Sequence, residues 1–227
     1  MPSGLGNHVE AVDGAVATAV DLGGPDLDVA TPQRGPGLGA PDLASPTASN
    51  TGADLGPSCL PRINELLTGT STSGVEEFVE IYNPCPHAVT LGGLKLVYRS
   101  AAGTTDLSLV DNLGAGSATL AVGGFLVFTG TGYYASVSNG TLKNGLAAAG
   151  GGVALRDTTG QLVDSLGWGT ATNIYARGTV ADAPKDVARP GHSLARNADG
   201  VDSGNNQSDF TVTSTPTPGQ PNQIVAP

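Results

Sequence analysis

From Arg62 onward the chain is cut into short β-prone runs, each closed by Gly, Asn, Asp or Pro, and this cadence restricts the fold more than any other feature. The runs are Ile63 to Leu67, Phe78 to Tyr82, Leu91 to Tyr98, Thr105 to Val110, Ala118 to Val122, Phe125 to Thr129, Val153 to Arg156 and Leu162 to Leu166. Short strands at this spacing, without helical periodicity between them, mark an antiparallel sandwich or a small barrel. Leu94, Leu96 and Tyr98 share one parity against Lys95, Val97 and Arg99, as a sheet with one face on a core requires. Leu107 and Leu109 are expected to do the same against Asp106 and Ser108. A covered Leu or Phe contributes only about 1.5 to 3 kcal/mol, so two facing sheets are needed to make a core.

The aromatic residues place that core. None precedes Phe78, and Phe78, Tyr82, Tyr98, Phe125, Phe128, Tyr133, Tyr134, Trp168, Tyr175 and Phe210 all follow. Residues 1–58 repeat a loose phrase, Asp21-Leu22, Asp26-Leu27, Asp42-Leu43 and Asp54-Leu55, each with a proline nearby. With no rings to bury, such a stretch cannot offset a chain entropy of about 1 to 2 kcal/mol per ordered residue. It reads as a disordered acidic leader, either an extended spacer or an ordinary tail. The expected division is leader 1–58, sandwich 59–223 and short tail 224–227. Of the net charge of −10, the leader carries more than half, with seven acidic residues against Arg34 alone. Lys95, Arg99, Lys143, Arg156 and Arg196 are scattered singly, which argues against a nucleic-acid backbone as partner. No run approaches the roughly 18 apolar residues of a membrane span. Ala15 to Val20 is too short for a secretory h-region, so either export is absent or the true start of the frame lies elsewhere.

Cys59 and Cys85 are the only cysteines. Folding the first two runs about the Gly69 to Gly74 turn puts residue 59 opposite residue 84 or so. Cys85 falls within one position of that point, close enough for a disulfide at the open end of the hairpin. Such a bond implies an oxidising compartment. Two unrelated buried thiols are the alternative.

A series of local phrases then occurs in order: Ile63-Asn64-Glu65; Glu77 to Asn83; Val89 to Gly92 followed by Leu94 and Leu96; Gly151 to Leu155; Gly160 to Asp164; Ser193 to Arg196; Asp209-Phe210; and Thr217 to Asn222. Together, from about Pro61 to Asn222, they resemble a bacterial lamin-tail domain. The resemblance implies an immunoglobulin-like antiparallel β-sandwich, of a kind that carries interaction surfaces in nuclear lamins and occurs in many exported bacterial proteins. Asn139 to Gly150 and Thr170 to Gly191 are least constrained by the pattern, and such loops carry private functions.

Chemistry-bearing constellations are sparse. Gly130-Thr131-Gly132-Tyr133-Tyr134-Ala135 spells a dinucleotide fingerprint, but turn residues follow where a helix must open. There is no nucleophile elbow, and His8, His87 and His192 occupy leader or loop positions. Glu77 and Glu80 fall on opposite faces of a strand. Glu80, between Val79 and Ile81, needs hydrogen bonds or an Arg partner, for which the resemblance offers Arg196 as a candidate, in a structural role. Asn197, Asp199, Asp202, Asn205, Asn206 and Asp209 form an oxygen-rich loop. Calcium uses irregular acidic loops in extracellular modules, and Asp199, Asp202, Asn205 and Asp209 are the candidate ligands. Asx residues that cap their own turns are the alternative, and no other metal or cofactor is expected. No convergent acid, base, nucleophile and oxyanion set is found. The expected function is therefore a non-enzymatic, exported or surface-attached module presenting its sandwich to a protein or glycan. The alternative is an accessory domain serving an extracellular hydrolase or nuclease on another chain.

Overall fold

A computed structural model describes residues 59–184 and 187–227, so the expected disordered leader lies outside the described residues. In chain order the elements are β1 (Arg62–Thr68), β2 (Glu77–Tyr82), β3 (Val89–Thr90), β4 (Lys95–Ser100), β5 (Leu107–Val110), β6 (Thr119–Leu120) and β7 (Phe125–Thr129). There follow β8 (Gly140–Thr141), β9 (Gly150–Arg156), β10 (Leu162–Gly169), β11 (Ser193–Arg196), the one-turn helix α1 (Asn206–Asp209) and β12 (Phe210–Thr213). One sheet runs β12-β11-β1-β2-β7-β8 and the other β10-β9-β4-β5, with β3 and β6 forming a small ribbon. Among the described residues the ladders between these strands are antiparallel except β7 with β8. The two sheets close on a single core: Ile63, Leu66, Val79, Ile81 and Phe128 face Leu96, Tyr98, Leu109, Val153, Leu155, Leu166 and Trp168. The fold is the expected immunoglobulin-like sandwich.

The β1–β2 hairpin carries one extra residue. Ile63 pairs with Ile81 but Glu65 with Glu80, so Asn64 bulges out of the ladder. Continuing the Arg62↔Tyr82 register by three places sets Cys59 opposite Cys85, and the two form a disulfide with Cα atoms 5.6 Å apart.

Three expectations about strands are corrected. The run from Leu91 begins as a turn, closed by Leu94 N donating to Leu91 O at 3.1 Å. Gly93 takes φ +80, which only glycine adopts freely, so the strand starts at Lys95. Leu107 and Leu109 do not share an environment: Val97 pairs with Ser108 while Leu96 pairs with Val110, leaving Leu109 as a bulge. Leu109 is fully buried and Leu107 remains 46% exposed on the edge. Val97 does not face solvent either. Tyr175, from the loop after β10, packs on Val97 and Ala154 and roofs the outer face of the four-stranded sheet. Its hydroxyl donates to Asp106 Oδ1 at 2.5 Å, and Asp106 also accepts from Arg99 Nε at 2.5 Å and Arg156 Nε at 2.8 Å.

The sheets are riveted by a buried ion pair. Asp164 on β10 accepts from the Ile63 backbone N–H at 2.8 Å and from Arg196 Nη2 at 3.1 Å, both on the facing sheet. Arg177 Nη1 reaches its other oxygen at 3.0 Å. Arg196 also donates to Ile63 O at 3.0 Å and lies 4.4 Å over the Phe210 ring. Burial pushes the Asp164 carboxyl up, and the Arg196 charge beside it opposes that rise. Removing one member of a fully buried pair leaves an uncompensated charge and typically costs about 3 to 5 kcal/mol. Because Arg177 still reaches Asp164, Arg196→Met is expected to lower stability by at most about that amount in urea denaturation. Adding Asp164→Asn, which keeps an acceptor for Ile63 N–H but removes the stranded charge, should recover part of the loss.

Candidate functional site

Two carboxylates meet on the outer face of the six-stranded sheet. The Asn64 bulge turns Glu65 outward beside Glu80 in direct cross-strand register, and neither is exposed. The chain after β12 crosses over them as a strap. Thr217 N donates to Glu65 Oε2 at 3.1 Å and its hydroxyl does so at 3.2 Å, while Gly219 N donates to Glu80 Oε2 at 2.6 Å. From below, Ser193 Oγ donates to Glu65 Oε1 at 2.5 Å and Asn64 Nδ2 to Glu80 Oε1 at 2.9 Å. Asn222 completes the strap, its N–H on Asp199 Oδ1 at 3.2 Å and its side-chain amide on Asn64 O and Arg196 O. Gly219 approaches Val137, from a second segment lying over the same face, whose Tyr133 packs edge-on against Phe78.

Among the described residues these carboxylates have many donors but no cation. Burial pushes Glu65 up to about 7, against the hydrogen bonds of Ser193 and Thr217. Burial pushes Glu80 up to about 8, with Glu65 and Asp199 adding like charge. The expected pairing of Glu80 with Arg196 is not formed: the arginine is committed to Asp164 on the core side, whereas Glu80 points outward and is held by Asn64 and Gly219. The arrangement stores protons and anchors the strap. With both acids sealed from solvent, it offers a substrate no approach.

The four calcium candidates are drawn into separate tasks. Asp202 pairs with Arg177 at 2.9 Å and Arg62 at 3.5 Å. Asp209 takes Ser203 N–H at 3.0 Å and lies 3.7 Å from Arg196. Asp199 accepts from Asn64 and Asn222, and Asn205 caps α1 through Ser208 N–H at 3.2 Å. Among the described residues no three His, Cys, Asp or Glu side chains gather as a metal donor set. His87 is exposed, with Nδ1 against Ala88 O.

Asn206, grouped with these by sequence, has a different role. Its Oδ1 accepts from Gly167 N–H at 3.0 Å and its Nδ2 donates to Ser165 O at 3.1 Å, so a side-chain amide supplies a rung along the edge of β10. Asp164, which sequence reasoning passed over, carried the same signal as Glu80: an acid inside an apolar strand, between Val163 and Leu166. Tyr175 and Asp106 gave no comparable signal, because each belongs to a loop whose path over the sheet no local pattern specifies.

The acid pair fixes the direction of a pH dependence. In the unfolded chain both glutamates ionise near the ordinary value of 4.5, whereas in the fold they hold their protons to about 7 and about 8. The stability they contribute is thus complete below about 4.5 and is lost as pH rises through 7 and 8. Melting temperature should fall between pH 5 and pH 8, and Glu80→Gln should flatten the upper part of that decline. A melting temperature that rises across this window would contradict the buried, proton-holding pair.

Residues 60–170 match the family model described as Lamin Tail Domain. The matched span contains β1 through β10, and β11 and β12 complete the six-stranded sheet beyond it. No curated protein matches the chain. The matched segment, which contains the Asn64 bulge and Asp164 but not its partner Arg196, carries a lamin tail domain.

Proposed function

We propose that this protein is a non-enzymatic, exported or surface-attached bacterial module that presents its immunoglobulin-like sandwich to a protein partner. The observation that carries the reading is the use made of its buried charge. Asp164 and Arg196 join the sheets, Asp106 holds the Tyr175 loop, and Glu65 and Glu80 anchor the C-terminal strap. These groups work as rivets between segments and leave the loops at the ends of the sandwich as the solvent-facing surface. Export is supported by the Cys59–Cys85 bond, since such bonds persist in oxidising compartments. Among the described residues no helix is long and apolar enough to cross a membrane.

Two measurements on the full chain test this. Protein recovered from the native host under denaturing, non-reducing conditions should show no free thiol and should fractionate outside the cytoplasm. Two free thiols in a cytoplasmic fraction would remove the export reading. Assays for hydrolase and nuclease turnover should give none, and turnover abolished by a single His or Glu substitution would remove the module reading.

A further inference from the structure

Among the described residues Glu77 is the one buried carboxylate whose partners do not account for it. It ends the inner face of β2 and is only 2% exposed, yet the hydrogen bond to its side chain is a single one, from Leu146 N–H at 2.6 Å to Oε1. No arginine, lysine or side-chain hydroxyl donates to Oε2 among the described residues. The other buried acids differ: Glu76 has Arg189 and Thr70, Asp164 has two arginines, and Glu65 and Glu80 have donors on both oxygens.

Glu77 lines a cavity of about 190 Å³ at one end of the sandwich, walled by Val75, Gly130, Thr131 and the segment Leu142 to Gly145. This lies well below the roughly 300 Å³ of a drug-sized site. It fits one side chain. Val75 is half exposed on the rim, and with Leu142 it supplies apolar wall for an aliphatic stem. Thr131 and Asn144 are the uncharged polar residues of the same wall. Gly145 keeps the carboxylate within reach, since a Cβ there would stand 3.5 Å from both its oxygens. The neighbouring cation, Lys143, is paired with Asp111 and does not serve Glu77. A single carboxylate with an apolar collar suits an organic cation rather than a metal ion, which needs several oxygen ligands.

We infer that this cavity receives the side chain of a lysine or arginine from the protein partner, its stem between Val75 and Leu142 and its charged head on Glu77. This deepens the module reading and rests on it. Burial without a counter-charge pushes Glu77 up to about 7. Docking a cation therefore releases a proton below that pH, and binding tightens as pH rises through 7.

Titration of the 15N-labelled full chain with Nα-acetyl-lysine methylamide and with Nα-acetyl-arginine methylamide, followed by amide chemical shifts, tests this directly. Expected are saturable shifts at Gly130, Gly145 and Leu146 with at least one probe, tighter at pH 8.5 than at pH 6, and no such shifts with the norleucine analogue. Glu77→Gln should weaken binding about tenfold or more, the loss expected for one charge-assisted hydrogen bond. Gly145→Ala, at a position whose φ suits alanine, should weaken it while leaving the carboxylate in place. Absence of saturable shifts with either cation, equal response to norleucine, equal affinity in Glu77→Gln, or affinity that falls with pH would each overturn the assignment. Thiol content, cell fraction and turnover test the module reading separately, so a null titration removes this site alone.

Discussion

The contact on which the rest of this structure depends is made by one carboxylate that belongs to one sheet and is satisfied by the other. Asp164 reaches from β10 to the Ile63 N–H and to Arg196, and through Arg196 to the carbonyl of Ile63. The hydrophobic effect between two sheets is non-directional and discriminates weakly between superpositions that bury equal area. A carboxylate on a backbone N–H and a guanidinium is directional. The rivet therefore fixes how the two hydrophobic faces are superposed. Phe210 under Arg196 extends the same constraint to β12, the outermost strand on that side.

That arrangement explains a division of labour among the buried charges. Between the sheets, Asp164 and Arg196 carry partners of opposite sign, because neither can be shed without breaking the sandwich. On the outer face, Glu65 and Glu80 are covered by a strap that brings mostly backbone N–H groups, and protonation there substitutes for a cation. A strap held by N–H groups on carboxyls needs few particular side chains of its own. Of the prolines flanking Thr217, Pro216 lies in the strap's irregular run and Pro218 starts the turn that Gln220 N–H closes on Thr217 O, and neither has an N–H to be left unpaired.

Much of this was legible in the sequence. Alternation and turn residues placed most of the strands, and the symmetry of the first hairpin brought the cysteines within one position of their observed register. What periodicity cannot see is a residue that leaves the ladder. The bulges at Asn64 and Leu109 each add one position to a strand, which turns Glu65 outward and separates Leu107 from Leu109. Tertiary cover is equally invisible locally: Val97 reads as solvent-facing until Tyr175 is laid over it. The partner of Glu80 was missed for a related reason. Arg196 belongs to the same sheet, but its side chain points to the opposite face, and two residues of opposite charge on opposite faces of a sheet never meet.

The position of the Cys59–Cys85 bond has a mechanical consequence. Any pull entering the chain from residues before Cys59 arrives at a sulfur atom bonded to the segment just past β2 and not at the free end of β1. Peeling β1 away from its neighbours, one hydrogen bond at a time, is the weak way to open a sheet, and the cross-link blocks it. Load is shared between two adjacent central strands, which must then be sheared past β11 and β7 together. A domain wired in this way resists traction from its N-terminal side as a unit.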